Sequence, residues 1–158
     1  MGELIARVTD LPVDQVICEN RLRPVSEAGV TALMESIVQV GAMKDDIHVR
    51  KVGSGSKARF ILIAGGHRLE AAKRLGWDHV PAKLWHCTAD WARLLEIDDN
   101  LASADLSALE LATFLAERKR VHLKLHPQTA QGQAGAKARW GDATDTVSFA
   151  SSIAEKRD

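Results

Sequence analysis

The chain has 158 residues, 46% of them hydrophobic and 27% charged, with 21 Lys and Arg balanced by 21 Asp and Glu. That length holds one good hydrophobic core plus a tail or small second element, and a net charge of zero argues against nucleic-acid binding by bulk attraction alone. No run approaches the roughly 18 continuous apolar residues of a membrane span, the opening MGELIARVTD has acids where a signal peptide carries a basic flank, and Cys18 and Cys87 form no CxxC unit and fit a reducing cytosol.

In chain order, residues 11–18 (LPVDQVIC) read as a short strand with its turn. Ser26 is the expected cap of a helix in which Val30, Leu33, Ile37 and Val40 recur at helical spacing until Gly41. Ile47 and Val49 alternate with His48 and Arg50 as in a half-buried strand. After the GSGS turn at 53–56, residues 59–64 (RFILIA) form a continuous apolar strand expected at the sheet centre. Gly65 and Gly66 follow, then a helix over 67–75 ended by Gly76, then a strand over 80–85 (VPAKLW).

From Thr88 the period becomes helical. Trp91, Leu94, Leu95 and Leu101 define one amphipathic helix to about residue 102. Ser107 and Glu110 form a capping box that opens a second, which Pro127 closes. Residues 127–147 lack an apolar period and read as a linker; residues 148–156 would begin one further helix, too short to stand alone. The expected organisation is an α+β core over 1–87, a helical segment over 88–126, a linker over 127–147 and the start of a truncated helical region over 148–158. Acids concentrate at Asp90, Glu96, Asp98, Asp99, Asp105 and Glu110, and bases at Arg118, Lys119, Arg120, Lys124, Lys137 and Arg139. That basic stretch is either a phosphate-contacting surface or a solvated helix face running into a linker.

The stretch richest in chemistry is 61–77, ILIAGGHRLEAAKRLGW. A buried strand, a Gly-Gly turn and a helix opening with His67 and Arg68 make a site for an anion. Glycine lets the backbone approach a ligand, the first helical amides lack partners, and the helix dipole adds about half a positive charge. Arg68 offers a planar fork of donors to phosphate oxygens, or equally to a carboxylate partner. Asp99 is either a site carboxylate or an ordinary exposed acid at a helix end. Cys87, at a strand end, is expected as a small core residue, His122 and His126 as a surface pair, and Trp77, Trp85 and Trp91 as core and interface residues. Trp140, beside Lys137 and Arg139, is the one aromatic placed to stack on a base or partner.

From Cys18 to Leu115 the sequence resembles the ParB/sulfiredoxin superfamily, with three blocks in the family's order: Asn20-Arg-Leu-Arg-Pro24 with the helix and IHVR strand after it; Ala64-Gly-Gly-His-Arg-Leu-Glu-Ala-Ala72; and Asp99-Asn100 followed by the capped helix. The resemblance implies a small mixed sheet with flanking helices and a C-terminal helical segment. It also implies a nucleotide-binding switch domain of a DNA-partition protein from a plasmid, chromosome or phage. Residues 148–156 look like the approach to the family's helix-turn-helix, which the chain does not contain in full. Carried over, Gly65, Gly66, His67 and Arg68 face the phosphates of a nucleoside triphosphate, CTP first, Arg23 (with Arg21 second) flanks it, and Asn100 is the magnesium-side ligand beside Asp99. Implied partners are DNA, bound weakly without the missing helices, a second copy of the chain, and a partition ATPase; the implied location is cytoplasmic.

The departures from the family pattern bear on activity. Gly66 replaces the first motif acid, His67 an arginine, Glu70 a later arginine, and Ser103 the arginine after the Asn. Fewer positive groups predict weaker triphosphate binding and slow hydrolysis, with Glu70 repelling phosphate if it faces the site. Sulfiredoxins place their catalytic Cys where this chain has Gly66, which removes that chemistry. The superfamily's free-serine kinases carry an acid where this chain has Ala64, leaving Glu19 as the remaining candidate carboxylate. A small-molecule kinase or a nuclease is therefore the rival expectation, with Asp99 and Glu19 as its catalytic candidates, and a partner-binding adapter the third.

Overall fold

A computed structural model describes residues 2–102, 106–127 and 129. The expected linker from 130 onward, with Lys137, Arg139 and Trp140, the final helix, and Ser103 and Asp105 lie outside the described residues.

Five strands form one mixed sheet in the order β1-β5-β3-β4-β2. They are β1 (Glu3–Pro12), β2 (Val16–Ile17), β3 (Ile47–Val52), β4 (Arg59–Ala64) and β5 (His79–His86). β1 pairs with β5 and β3 with β4 antiparallel, while β3–β5 and β2–β4 are parallel. The helices are α1 (Glu27–Val40), α2 (Gly66–Arg74), α3 (Ala89–Ala102) and α4 (Ala108–Leu125). None of these helices is long and apolar enough to cross a membrane.

The alternation in β3 and β5 sends Ile47, Val49, Val80, Ala82 and Leu84 to one face of the sheet, where they meet Leu62 and, from α2, Leu69 and Ala72. Burying each large aliphatic side chain here stabilises the fold by about 1.5–3 kcal/mol. α1 lies on α2 through Val30, Ile37 and Ala71. α3 packs against β4 and α4, with Ile97, Phe114 and Val121 sealed from solvent.

Ser26 caps α1 as expected, accepting the Gly29 N–H at 3.2 Å, and the Ser107–Glu110 capping box opens α4. Two expectations change. The first strand lies mainly before residue 11: β1 starts at Glu3, and its ELIARVTD stretch carries no buried run because it is an edge strand, with Leu4 and Ile5 about half exposed. And β3 holds the centre of the sheet, with β4 one place out between β3 and β2.

Candidate functional site

β4 delivers the chain to the turn at Gly65, whose φ of 95° lies in the left-handed region. A Cβ there would meet Ile47 Cγ2 at 2.9 Å, so backbone conformation and space both require glycine. The first intrahelical bond of α2 is Leu69 N–H to the Gly65 carbonyl at 2.9 Å, which leaves the amides of Gly66, His67 and Arg68 outside the helical ladder.

A second helix end meets the first. His67 Nε2 accepts the backbone N–H of Ser26 at 3.1 Å and lies 3.1 Å from its hydroxyl, so the N-termini of α1 and α2 open into the same cleft. Gly29 makes this approach feasible, because a Cβ there would stand 2.7 Å from His67 Cδ2. Burial, then Arg23, Arg21 and Arg68, push the His67 pKa below the usual imidazole value, consistent with an unprotonated Nε2 that accepts.

The cleft, about 350 Å³ in volume, is walled by these two helix ends, by Arg21, Arg23 and Arg68, and by Asp99 and Asn100 from α3. Arg68 donates to the Asp46 carbonyl, which uses one of its five N–H groups. Arg23 lies 3.5 Å from Glu110, a half-exposed ion pair of the kind that contributes little to stability. Arg21 is held inward, donating to the Ile63 carbonyl and lying 3.3 Å from Glu96. Asn100 is buried and its Nδ2 donates to the Glu96 carbonyl at 2.8 Å, so its Oδ1 is the end suited to a cation. Among the described residues lining the cleft, Asp99 is the only carboxylate. Glu70 is not among them; it pairs with Arg74 at 2.9 Å, and Arg74 also holds Glu27.

The other predicted residues fall elsewhere. Glu19 lines a separate cavity of about 310 Å³ with Arg50 and Arg93, and its carboxylate sits 3.8 Å from Arg59. On α4, Arg118 is paired with Asp98 at 2.8 Å, Arg120 with Glu117 at 2.7 Å and Lys124 with Asp90 at 2.8 Å, while Lys119 is exposed. Burial raises the Cys87 thiol pKa, the environment of an inert rather than a nucleophilic cysteine. The His122 and His126 rings lie 4.7 Å apart, and no group of three or more metal-ligating side chains occurs among the described residues. Of the residues that line or brace the cleft, Val25, Gly29, Leu33 and Glu96 receive no site role from the sequence. A glycine inside a helical period is a signal of close approach, but a buried glutamate one turn before Asp99 carries none.

A small mixed sheet with flanking helices and a Gly-Gly turn at the mouth of an interior strand defines a ParB/sulfiredoxin-like α+β domain. The chain belongs to the ParB N-terminal domain family, which matches it over residues 4–101. It is 33% identical over 110 residues to the probable plasmid-partitioning protein ParB of Thermus thermophilus, covering 70% of this chain and 35% of that protein. It is 32% identical over 143 residues to the nucleoid occlusion protein of Lysinibacillus sphaericus, covering 89% of this chain and 44% of that one. The chain therefore spans less than half the length of these relatives. Among solved structures it resembles the C-terminally truncated chromosome-partitioning protein ParB of Caulobacter crescentus complexed with CTP-γ-S, at 25% identity and a TM-score of 0.53 over 70% of this chain and 61% of that one.

Proposed function

We propose that this domain is a nucleotide-responsive switch of a DNA-partition protein, and that the cleft binds the phosphates of a nucleoside triphosphate, CTP first. The observation that carries this is the convergence of two helix N-termini and three arginines on one opening. Unsatisfied amides and dipole ends favour negative charge there, and guanidinium groups add charge-assisted donors. The structural relative captured with CTP-γ-S supports the same ligand class.

Magnesium fits the donor set. Asp99 and Asn100 offer oxygens in the cleft, and this hard cation is commonly held by one or two such ligands together with phosphate oxygens and water. The ion would offset phosphate charge. The chain's own contribution is to bind and orient: the turn amides and Arg68 hold the phosphates, Arg23 exchanges its loose partner Glu110 for ligand, and His67 links the two helix ends.

Turnover is slow or absent, because among the described residues lining the cleft Asp99 is the only carboxylate, Glu110 is turned to Arg23 and Glu19 faces another cavity. The ligand would act by changing how two copies associate through α3 and α4. A calorimetric panel of CTP, UTP, ATP and GTP with magnesium, repeated with DNA present, tests the proposal. Saturable binding of CTP ahead of the others is expected; no binding of any triphosphate would overturn it.

A further inference from the structure

Glu96 carries a carboxylate almost sealed from water, its side chain 7% exposed. One oxygen accepts the backbone N–H of Leu22 at 3.1 Å and lies 3.3 Å from Arg21; the other accepts from Arg93 at 2.7 Å. The same Arg93 nitrogen donates to the Asn20 carbonyl at 2.8 Å. Residues 20–22 are thereby fastened to α3. Arg21 extends the fastening to the end of β4 through the Ile63 carbonyl, two residues before the Gly65 turn.

Glu96 sits on α3 beside the fully buried Ile97, where a hydrophobic residue could fill the space without desolvating a charge. A buried ion cluster is weak evidence for stability, since well-packed apolar replacements often serve as well. It does fix geometry. Three of the cleft's walls are the arginine-bearing loop, the Gly65 turn and the α3 face with Asn100, and the Arg21–Glu96 pair joins them.

We propose that Glu96 is a positioning residue for the polyphosphate site. It touches no ligand; it holds the 20–23 loop so that Arg23 and Asn100 stand at a fixed separation across the cleft. The proposal rests on the nucleotide-binding reading of that cleft.

Two variants test it, Glu96→Ala and Glu96→Gln, each titrated with CTP and magnesium and each combined with Arg23→Ala. The ligand-free proteins are followed by amide hydrogen exchange. Glu96→Ala should weaken binding at least tenfold, and Glu96→Gln, which retains an acceptor for Leu22, should recover most of it. The loss should be much smaller once Arg23 is gone, a non-additivity that general destabilisation would not produce. Should the Ala variant not fold, the Gln variant carries the same cycle with a smaller loss. Binding by Glu96→Ala within twofold of the unmodified chain, or additive losses in the cycle with Arg23→Ala, would overturn the proposal. If the unmodified chain binds no triphosphate, the nucleotide reading falls and exchange alone decides: faster exchange at both Leu22 and Leu69, whose N–H groups bond Glu96 and the Gly65 carbonyl, in Glu96→Ala (or, to a smaller degree, in Glu96→Gln where the Ala variant does not fold) upholds the clasp, whereas a change at Leu22 alone, or none, overturns it.

Discussion

The Nε2 of His67 accepts the backbone N–H of Ser26 at 3.1 Å, so the first turn of one helix is tied to the cap of another. An acceptor role requires an unprotonated nitrogen, and the His67 pKa is lowered by burial and then by three arginines. A folded pKa below the unfolded value of about 6.5 means that the unfolded chain takes up the proton first. The stabilising contribution is therefore present above about pH 6.5 and is lost as pH falls through the lowered folded value. His48 and His122 shift the same way and add to the effect. Thermal unfolding from pH 7.5 to 5 should give a falling Tm, and His67→Gln, which retains an acceptor near the same place, should flatten the curve. An unchanged slope in the Gln variant would remove His67 from the effect.

Arg68→Ala should weaken triphosphate binding by about 1.5–3 kcal/mol, the range for a hydrogen bond to a charged group. Gly65→Val should abolish it by a different route, since the positive φ and the contact with Ile47 both oppose a side chain. Calorimetry on folded variants measures both. Unchanged affinity after Arg68→Ala would take that residue out of the site.

Gly29→Ala sets two effects against each other. Ala is worth up to about 1 kcal/mol over Gly in a helix interior and less in the first turn, where Gly29 sits, and its Cβ would stand 2.7 Å from the His67 ring. The clash should win at the cleft: His67 is displaced and ligand affinity falls, whatever happens to Tm. A variant that binds as before would mean the ring has another place to go.

Asp99→Asn should reduce any residual nucleotide hydrolysis more than it reduces binding, while Asn100→Ala should weaken magnesium-dependent binding. Glu19→Gln should change neither, because Glu19 faces a separate cavity. Phosphate-release assays beside calorimetry distinguish these. Fast transfer to a small hydroxyl compound, abolished by Glu19→Gln, would favour a kinase.

Binding to DNA by this chain should be weak, without sequence preference, and steeply reduced by salt. Arg118, Arg120 and Lys124 already face acids at 2.7–2.8 Å, which leaves the exposed Lys119 as the cation of this α4 set best placed to meet a phosphate. Fluorescence anisotropy across a salt series checks this, and tight binding to one defined site at physiological salt would refute it.

Most of the fold is legible in the sequence because its signals are local. Ser26 and Gly41 bracket α1, the Ser107–Glu110 box opens α4, and the apolar run before Gly65 marks an interior strand. β1 is hard to read because an edge strand with little buried surface has no hydrophobic stripe. The charge asymmetry is visible but misleading. Acids on α3 and bases on α4 look like separate surfaces in one dimension, yet Asp98 meets Arg118 and Asp90 meets Lys124 once the helices pack. Gly65 and Arg68 can be proposed from the turn alone. Glu96 cannot, since what buries it comes from residues more than seventy positions earlier.

The resemblance to the ParB/sulfiredoxin superfamily implies an acid at the position of Gly66, and a Cβ there would lie 3.3 Å from Val25 Cγ2. Val25 thus occupies room that a side chain at the turn would need. Gly66→Glu would press on Val25, which must give by a few tenths of an ångström and, being exposed, can do so at modest cost. The two positions are therefore coupled by contact, and a library varied at both should recover Gly66→Glu somewhat more often with Val25→Ala or Val25→Ser than with Val25 kept.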